Sequence, residues 1–170
     1  MSYGERAEVY YQEVQRFGQA WLWALVILLS GLSWFAFFLQ IVFGRPFGQN
    51  PAPDPMIWII LVAIGICLPI LLFSVRLVTE VRGNGIYILF SPFKREIIRP
   101  GDIEEAKKEE VNPYFAYGGF GIRWAPGRGR AYIVGGGKGV VLKMRSGRRI
   151  FLGSRDPEGL LEAIERMRVM

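Results

Sequence analysis

Two long stretches without a charged residue constrain the fold of this chain more than any other feature. They lie in the first half of a chain of 170 residues, of which 51% are hydrophobic. Segments 21–43 and 56–75 are each long enough to cross roughly 30 Å of hydrocarbon as a helix rising about 1.5 Å per residue. Because the backbone in lipid must satisfy its own hydrogen bonds, the sequence predicts a transmembrane hairpin over residues 21–75.

Residues 1–20 precede the first apolar segment and have a pattern of their own. Tyr10, Val14 and Phe17 recur at helical spacing, and the charged residues fall mostly between them. This periodicity predicts an amphipathic helix that lies at the membrane interface. A helical extension of the first span would produce the same pattern, and the sequence leaves that alternative open.

The distribution of positive charge predicts the orientation of the hairpin. Only Arg6, Arg16 and Arg45 precede residue 76, so all other Lys and Arg residues follow the second span. Positively charged segments stay in the cytoplasm, and two spans return the N-terminus to the side of the C-terminus. We therefore expect a multi-pass protein of the cell membrane with its N-terminus and its C-terminal domain in the cytoplasm.

After residue 75 the hydrophobic period changes from helical to strand-like. Apolar residues alternate with polar ones from Leu77 onwards, and Gly83-Asn84-Gly85 is a hairpin signal. The same criteria predict further strands at 86–90, 94–98, 119–124, 130–134, 139–145 and 148–152. A helix should begin after Asp156, since Pro157 suits its first turn and Leu160, Leu161, Ile164 and Met167 form an apolar stripe. Residues 76–170 are therefore predicted to form a mostly β domain.

The order of short motifs along the chain adds a family resemblance. After the two spans come Thr79 to Tyr87 (TEVRGNGIY), Ser91-Pro92-Phe93, Tyr117 to Trp124 (YGGFGIRW), Gly136 to Val140 (GGKGV) and Gly147 to Glu158 (GRRIFLGSRDPE). This order resembles bacterial membrane-anchored proteins with a pleckstrin-homology-like domain. The resemblance implies two transmembrane helices followed by a curved sheet or barrel with a C-terminal helix. It implies no catalytic residues.

Composition excludes several kinds of chemistry. The chain has no histidine and one cysteine, Cys67, so it cannot build a histidine-dependent triad, zinc site or haem ligand by itself. The glycines at 135–139 lack the spacing of a phosphate loop, and the clustered glutamates at 104–110 are typical of a solvated edge. We therefore predict no catalytic, cofactor or metal site, and a protein that is not an enzyme.

Two sets of side chains are candidates for binding. Basic residues near predicted turns could face anionic lipid, and they are Arg76, Arg82, Lys94, Arg95, Arg128, Arg130 and Lys138. Aromatic residues in one glycine-rich segment could form a partner surface, and they are Tyr114, Phe115, Tyr117 and Phe120. Burial of the aromatic residues in the sheet core is the open alternative.

These features together favour a non-catalytic interaction or structural protein. We expect an accessory subunit or scaffold of a larger membrane complex, whose partners are other membrane-protein subunits. A module that senses anionic lipid or the membrane surface is the alternative. Nucleic acid is not an expected partner, because the chain lacks an RNA-binding aromatic signature and is tethered to the membrane.

Overall fold

The computed structural model describes residues 8–169, and the chain divides into two compact units. The first unit, Gly18–Ser74, is helical. The second unit combines the segment that ends at Phe17 with the segment that begins at Val75, and it is mostly β. The helical unit is therefore inserted in the chain of the β unit rather than placed before it.

The helical unit contains two long apolar helices. The first runs from α1 (Ala20–Phe37) into a π-helical turn at Phe38–Val42. The second runs from α2 (Asp54–Ile60) through a π-helical stretch at Leu61–Cys67 into α3 (Leu68–Ser74). With 23 and 21 residues and mean hydropathies of 2.2 and 2.9, both are long and apolar enough to cross a membrane.

Polar contacts hold the two apolar helices together. Ser30 Oγ donates to the carbonyl of Ile64 at 3.0 Å, and Trp34 Nε1 donates to the carbonyl of Gly65 at 3.4 Å. A side chain at Gly65 would press on Leu61 and Trp34, so glycine allows this close approach. Small residues and hydrogen bonds of this kind favour helix pairing where the surrounding solvent is apolar.

The β unit begins with a four-stranded antiparallel sheet. Its strands are β1 (Val9–Arg16), β2 (Arg76–Arg82), β3 (Gly85–Ser91) and β4 (Lys94–Ile98), in the order β1-β2-β3-β4. We call it the first sheet. Strands β2 to β4 lie where the sequence predicts strands. Strand β1 comes from the segment of the chain that precedes the helical unit.

Strand β1 corrects the prediction of an amphipathic helix over residues 1–20. Residues Val9–Arg16 are a strand, and residues 1–7 lie outside the described part of the chain. The helical spacing of the apolar residues was misleading, because Val14 is exposed and the most buried residue of β1 is polar. Gln15, for example, is buried and donates from Nε2 to the carbonyl of Gly153 at 2.7 Å. Tertiary hydrogen bonds here override the local pattern.

A five-stranded second sheet completes the β unit. Its strands are β5 (Ile103–Glu110), β6 (Gly121–Ala125), β7 (Gly129–Ile133), β8 (Lys138–Met144) and β9 (Arg149–Gly153), in the order β5-β8-β9-β7-β6. All neighbours are antiparallel except β7 and β9, which are parallel. A short helix α4 (Pro113–Tyr117) follows β5, and α5 (Pro157–Val169) ends the described chain.

The larger of two clusters of buried apolar residues in the described chain lies between the two sheets and helix α5. The first sheet contributes Leu77 and Ile86, the second contributes Leu142 and Leu152, and α5 contributes Ile164, all with 2% exposure or less. Burying one such side chain stabilises the fold by about 1.5–3 kcal/mol. The architecture is therefore two apolar helices in the N-terminal half and a mostly β unit with a C-terminal helix.

Candidate functional site

The two apolar helices leave the β unit from neighbouring strands. Arg16, the last residue of β1, lies opposite Arg76, the first residue of β2, and Arg76 lies opposite Ser91 of β3. Helix α1 begins at Ala20, and α3 ends at Ser74. We call this end of the first sheet the hairpin end. Whatever environment the helices enter, both of their connections to the β unit start from this end.

Three of the seven predicted lipid-facing residues lie at the hairpin end. Arg76 begins β2, and Lys94 and Arg95 begin β4, where they lie opposite Phe90 and Leu89 of β3. Arg16 adds a fourth cation beside Arg76. The structure therefore brings these three predicted residues together at the strand ends to which the helices connect.

The other four predicted residues lie elsewhere. Arg82 is at the opposite end of β2, about 20 Å from Arg76 at a rise near 3.3 Å per residue, and pairs with Glu80 at 2.6 Å. Lys138 begins β8 opposite Glu110. Arg130 lies on β7 of the second sheet, and Arg128 lies in the turn just before that strand. The seven residues do not form a single surface.

The parallel pairing of β7 and β9 creates a second group of cations. Arg130 lies opposite Ile150, so the starts of the two strands are side by side. Each start is rich in arginine, and together they hold Arg128, Arg130, Arg148 and Arg149, which we call the arginine edge. Gly129 makes this approach possible, because a Cβ at that position would overlap the backbone carbonyl of Arg149.

A cavity of about 290 Å³ opens at the arginine edge. Arg130, Arg148 and Arg149 line it together with Glu96, Trp124 and Ile150, and three glycines of neighbouring turns complete its wall: Gly127, Gly129 and Gly147. Trp124 is 69% exposed, which is unusual for so large an apolar side chain. Ile150, another lining residue, also belongs to the core.

Glu96 fixes one of these arginines in place. Its Oε2 accepts from Arg130 Nη1 at 3.2 Å and also from the Tyr132 hydroxyl. Burial, and then the hydrogen bond and charge of Glu96, raise the pKa of Tyr132 to about 12. Burial alone would lower the pKa of Arg130, but Tyr132 and Glu96 outweigh it and leave that pKa raised. Arg130 therefore stays charged in a fixed position.

A smaller cavity of about 240 Å³ lies at the same edge. It is lined by Arg128, Arg149, Glu109, Tyr117 and Val141. Arg128 pairs with Glu109 at 3.6 Å, so one of its two arginines is already neutralised by a neighbour. Burial raises the pKa of the Tyr117 hydroxyl, and the charge of Glu109 adds to that shift.

The four aromatic residues of the predicted partner surface separate into two groups. Phe115 is 91% exposed and Tyr114 is 53% exposed, both on α4. Tyr117 is a core residue instead, because it is 6% exposed and stacks on Phe151 with ring centroids 5.8 Å apart. Phe120 is half-buried and packs edge-on against Tyr114. The alternative of burial therefore holds for Tyr117.

A polar clasp joins β1 to the loop before α5, and no sequence pattern predicted it. Glu13 Oε2 accepts from the hydroxyls of Tyr11 at 2.8 Å and Ser154 at 2.7 Å. Its Oε1 accepts from the backbone N–H of Arg155 at 2.9 Å. Burial raises the pKa of Tyr11, and the bond to Glu13 raises it further. The clasp holds the strand that precedes the helices against the C-terminal part of the β unit.

The clustered glutamates of residues 104–110 lie on β5, where several of them form ion pairs. Glu104 pairs with Lys143 at 2.6 Å, and Glu105 pairs with Lys107 at 2.7 Å. Within residues 8–169, no three His, Cys, Asp or Glu side chains are grouped so that they could hold a metal ion. Glu104 is thus a cross-strand partner of Lys143 on β8, and Glu105 pairs within its own strand.

Comparison with known proteins gives a family and no function. The sequence profile of a family of unknown function, DUF6141, matches residues 3–169. No curated protein gives a significant match. No solved structure gives one either.

Proposed function

The chain belongs to DUF6141, a family of unknown function, and we propose that it is a non-catalytic, membrane-anchored interaction protein. In this proposal the two apolar helices span the cell membrane, and the β unit lies in the cytoplasm. The protein acts as an accessory subunit or scaffold of a larger membrane complex.

The observation that carries the proposal is the way in which the helices join the β unit. Three residues separate Arg16 from Ala20, a reach of about 14 Å at most over four residue steps, and Val75 alone separates Ser74 from Arg76. A domain held by two such short connections cannot move far from the bilayer. Its natural partners are proteins that are also at the membrane.

The pairing of β1 with β2 supports the proposed topology. These strands are neighbours in one sheet, so both ends of the helical hairpin must lie on the same side of any membrane that it crosses. The excess of Lys and Arg after Val75 favours the cytoplasmic side. Two sheets around one core with a C-terminal helix also support the resemblance to pleckstrin-homology-like domains, which we retain as part of the proposal.

Helix α4 offers the best surface for a protein partner. Asn112 caps it by accepting from the Tyr114 N–H at 3.1 Å, and Gly118 ends it in the left-handed conformation. Tyr117 anchors it on the second sheet, so Phe115 is presented from a rigid support. Exposed aromatic side chains on rigid supports are typical of the residues that dominate protein interfaces.

Purification from the native membrane in mild detergent tests this proposal. The full chain should carry companion proteins at fixed stoichiometry, identified by native sizing and mass spectrometry. Phe115→Ala should release them, whereas Phe93→Ala, which removes another exposed phenylalanine, should not. A lone species from native membranes, or equal retention by both variants, would count against the partner surface on α4.

A second candidate function is contact with an anionic membrane surface, and the cations of the hairpin end favour it. Each basic side chain near such a surface contributes about 1 kcal/mol. The test uses the full Cys67→Ala chain in vesicles, with an environment-sensitive dye on a cysteine that replaces Phe93. Its signal should change between neutral and anionic vesicles, respond to salt, and fall with Lys94→Gln and Arg95→Gln. The same signal in both vesicles would reject the candidate.

A further inference from the structure

The larger cavity at the arginine edge has an excess of positive charge that its own residues do not neutralise. Arg130 is paired with Glu96, the only carboxylate among the residues that line the cavity. Arg148 pairs with no carboxylate of residues 8–169, and its Nε contacts Ser146 Oγ at 3.4 Å. Guanidinium groups brought together without matching carboxylates are typical of sites that bind anions.

We propose that this cavity binds a phosphate-bearing ligand, with the phosphate between Arg130 and Arg148 and an apolar or planar part of the ligand against Trp124. This site is independent of the partner surface on α4. It also differs from the cations of the hairpin end, since a defined cavity rather than a charged surface would recognise the ligand.

The arrangement of the arginines suits a phosphate. The guanidinium group donates several hydrogen bonds in one plane and binds phosphate in two-pronged fashion. Arg130 is held in place by Glu96, so little side-chain freedom is lost when it binds. Arg148 is on the neighbouring turn, which the parallel register of β7 and β9 places beside Arg130.

The other residues that line the cavity suit the part of the ligand that carries no phosphate. Trp124 presents an aromatic face that is 69% exposed and lies opposite Arg130 on the β6–β7 hairpin. Gly127, Gly129 and Gly147 have φ angles of +71°, +81° and +79°, so the turns stay tight and free of side chains. A volume of about 290 Å³ is just below the range for small-molecule sites, about 300–1,000 Å³, and suits a small ligand or a headgroup.

Two kinds of molecule carry such a phosphate group, a phospholipid headgroup and a soluble phosphate ester. The full chain in nanodiscs of neutral lipid is titrated with phenyl phosphate and, separately, with dihexanoylphosphatidic acid below its micelle concentration. Calorimetry should show saturable binding of at least one probe. Tighter binding of phenyl phosphate would assign a soluble ester, and tighter binding of phosphatidic acid would assign a lipid.

Three variants locate the binding. Arg148→Gln should weaken it by about tenfold or more, since it removes a charge-assisted hydrogen bond, and Arg148→Lys should weaken it less. Trp124→Ala should weaken binding of phenyl phosphate more than binding of inorganic phosphate. Arg145→Gln is the matched control, because it removes the same charge from the same turn but does not line the cavity. Each variant is compared only if its thermal midpoint matches the parent.

Two results would overturn the proposal. One is the absence of saturable binding of both probes at millimolar concentration with a folded protein. The other is an equal loss for Arg148→Gln and Arg145→Gln, which would mean that the probes respond to overall charge rather than to a site. Neither result would bear on the partner surface, because Phe115 does not line this cavity.

Discussion

Arg16 and Arg76 lie directly opposite each other on adjacent antiparallel strands, although both apolar helices separate them in the chain. The helical hairpin thus occupies the place of the turn that would ordinarily join β1 to β2. The β unit is consequently a single fold made from two separated segments.

The first prediction is that a short turn can replace the helical hairpin. Joining Phe17 to Val75 through Asn-Gly, in place of residues 18–74, continues the register of Arg16 with Arg76 into a two-residue hairpin. The shortened chain should be soluble and folded by circular dichroism. A chain of residues 76–170, which lacks β1, should be unstable because the core at Leu77 and Val81 loses its cover. Equal stability of the two would contradict the two-segment fold.

The second prediction concerns the clasp. Glu13→Gln should lower the free energy of unfolding of the shortened chain by about 1–3 kcal/mol, because an amide cannot accept all three hydrogen bonds of the carboxylate. Glu8→Gln removes the same charge just before β1 and should have little effect. Urea titration measures both. A similar loss of unfolding free energy in the two variants would show that the removed charge, rather than the hydrogen bonds of the clasp, causes the loss.

The third prediction is a loss of stability at alkaline pH. Tyr132 has a pKa of about 12 in the folded protein against about 10 in an unfolded chain. Between these values the folded state holds a proton that the unfolded state has released, so the stability present below pH 10 falls as pH rises towards 12. The thermal midpoint of Tyr132→Phe should fall less steeply across this window. If the thermal midpoint of Tyr132→Phe falls with pH as steeply as that of the parent, the alkaline loss of stability does not come from Tyr132. The pKa of Tyr11 is also raised, so Tyr11→Phe should make the fall less steep in the same way.

The fourth prediction distinguishes the two kinds of aromatic residue on α4. Phe115→Ala should leave stability within about 0.5 kcal/mol of the parent, since the side chain is almost fully exposed. Tyr117→Ala should destabilise by about 3–5 kcal/mol, because it leaves a cavity against Phe151. Denaturant unfolding of the shortened chain measures both. A large loss with Phe115→Ala would mean that this residue stabilises the fold rather than a complex.

The fifth prediction tests the proposed topology. In a Cys67→Ala background, a cysteine at Asn50, between the two helices, should react with an impermeant maleimide added to intact cells. A cysteine at Ser146 should react only after the membrane is opened. Both positions are exposed in the structure, so accessibility would report the side of the membrane. The reverse pattern would invert the topology, and reaction of both in intact cells would argue against a spanning hairpin.

Local pattern was sufficient for β2, which alternates and ends at the turn Gly83-Asn84-Gly85, and for β3 and β4, which are bounded by that turn and by the break at Ser91-Pro92-Phe93. It failed for β5, whose sequence IEEAKKEE has the composition of a helix. Ile103 and Ala106 are its buried apolar residues, and ion pairs such as Glu104–Lys143 accompany its pairing with β8. Those partners are distant in the chain, so no local pattern reports them.

The candidate cavity could not be predicted from the sequence for a similar reason. Arg128 and Arg130 were predicted to lie near turns, but nothing in the sequence shows that β7 pairs in parallel with β9. Only Arg130 of the cavity arginines was among the predicted lipid-facing residues. Trp124 was predicted to lie on a strand. Its exposure depends on the tertiary surroundings of the β6–β7 hairpin, which the sequence does not show.

Because the helices are inserted between β1 and β2, these two paired strands are synthesised at separate times. The ribosome makes β1 first, then both apolar helices, and only afterwards β2, the strand with which β1 pairs. Until β2 emerges, β1 has no neighbour and the clasp residues Tyr11 and Glu13 have no partner in Ser154. The β unit can therefore close only after both apolar helices have been synthesised.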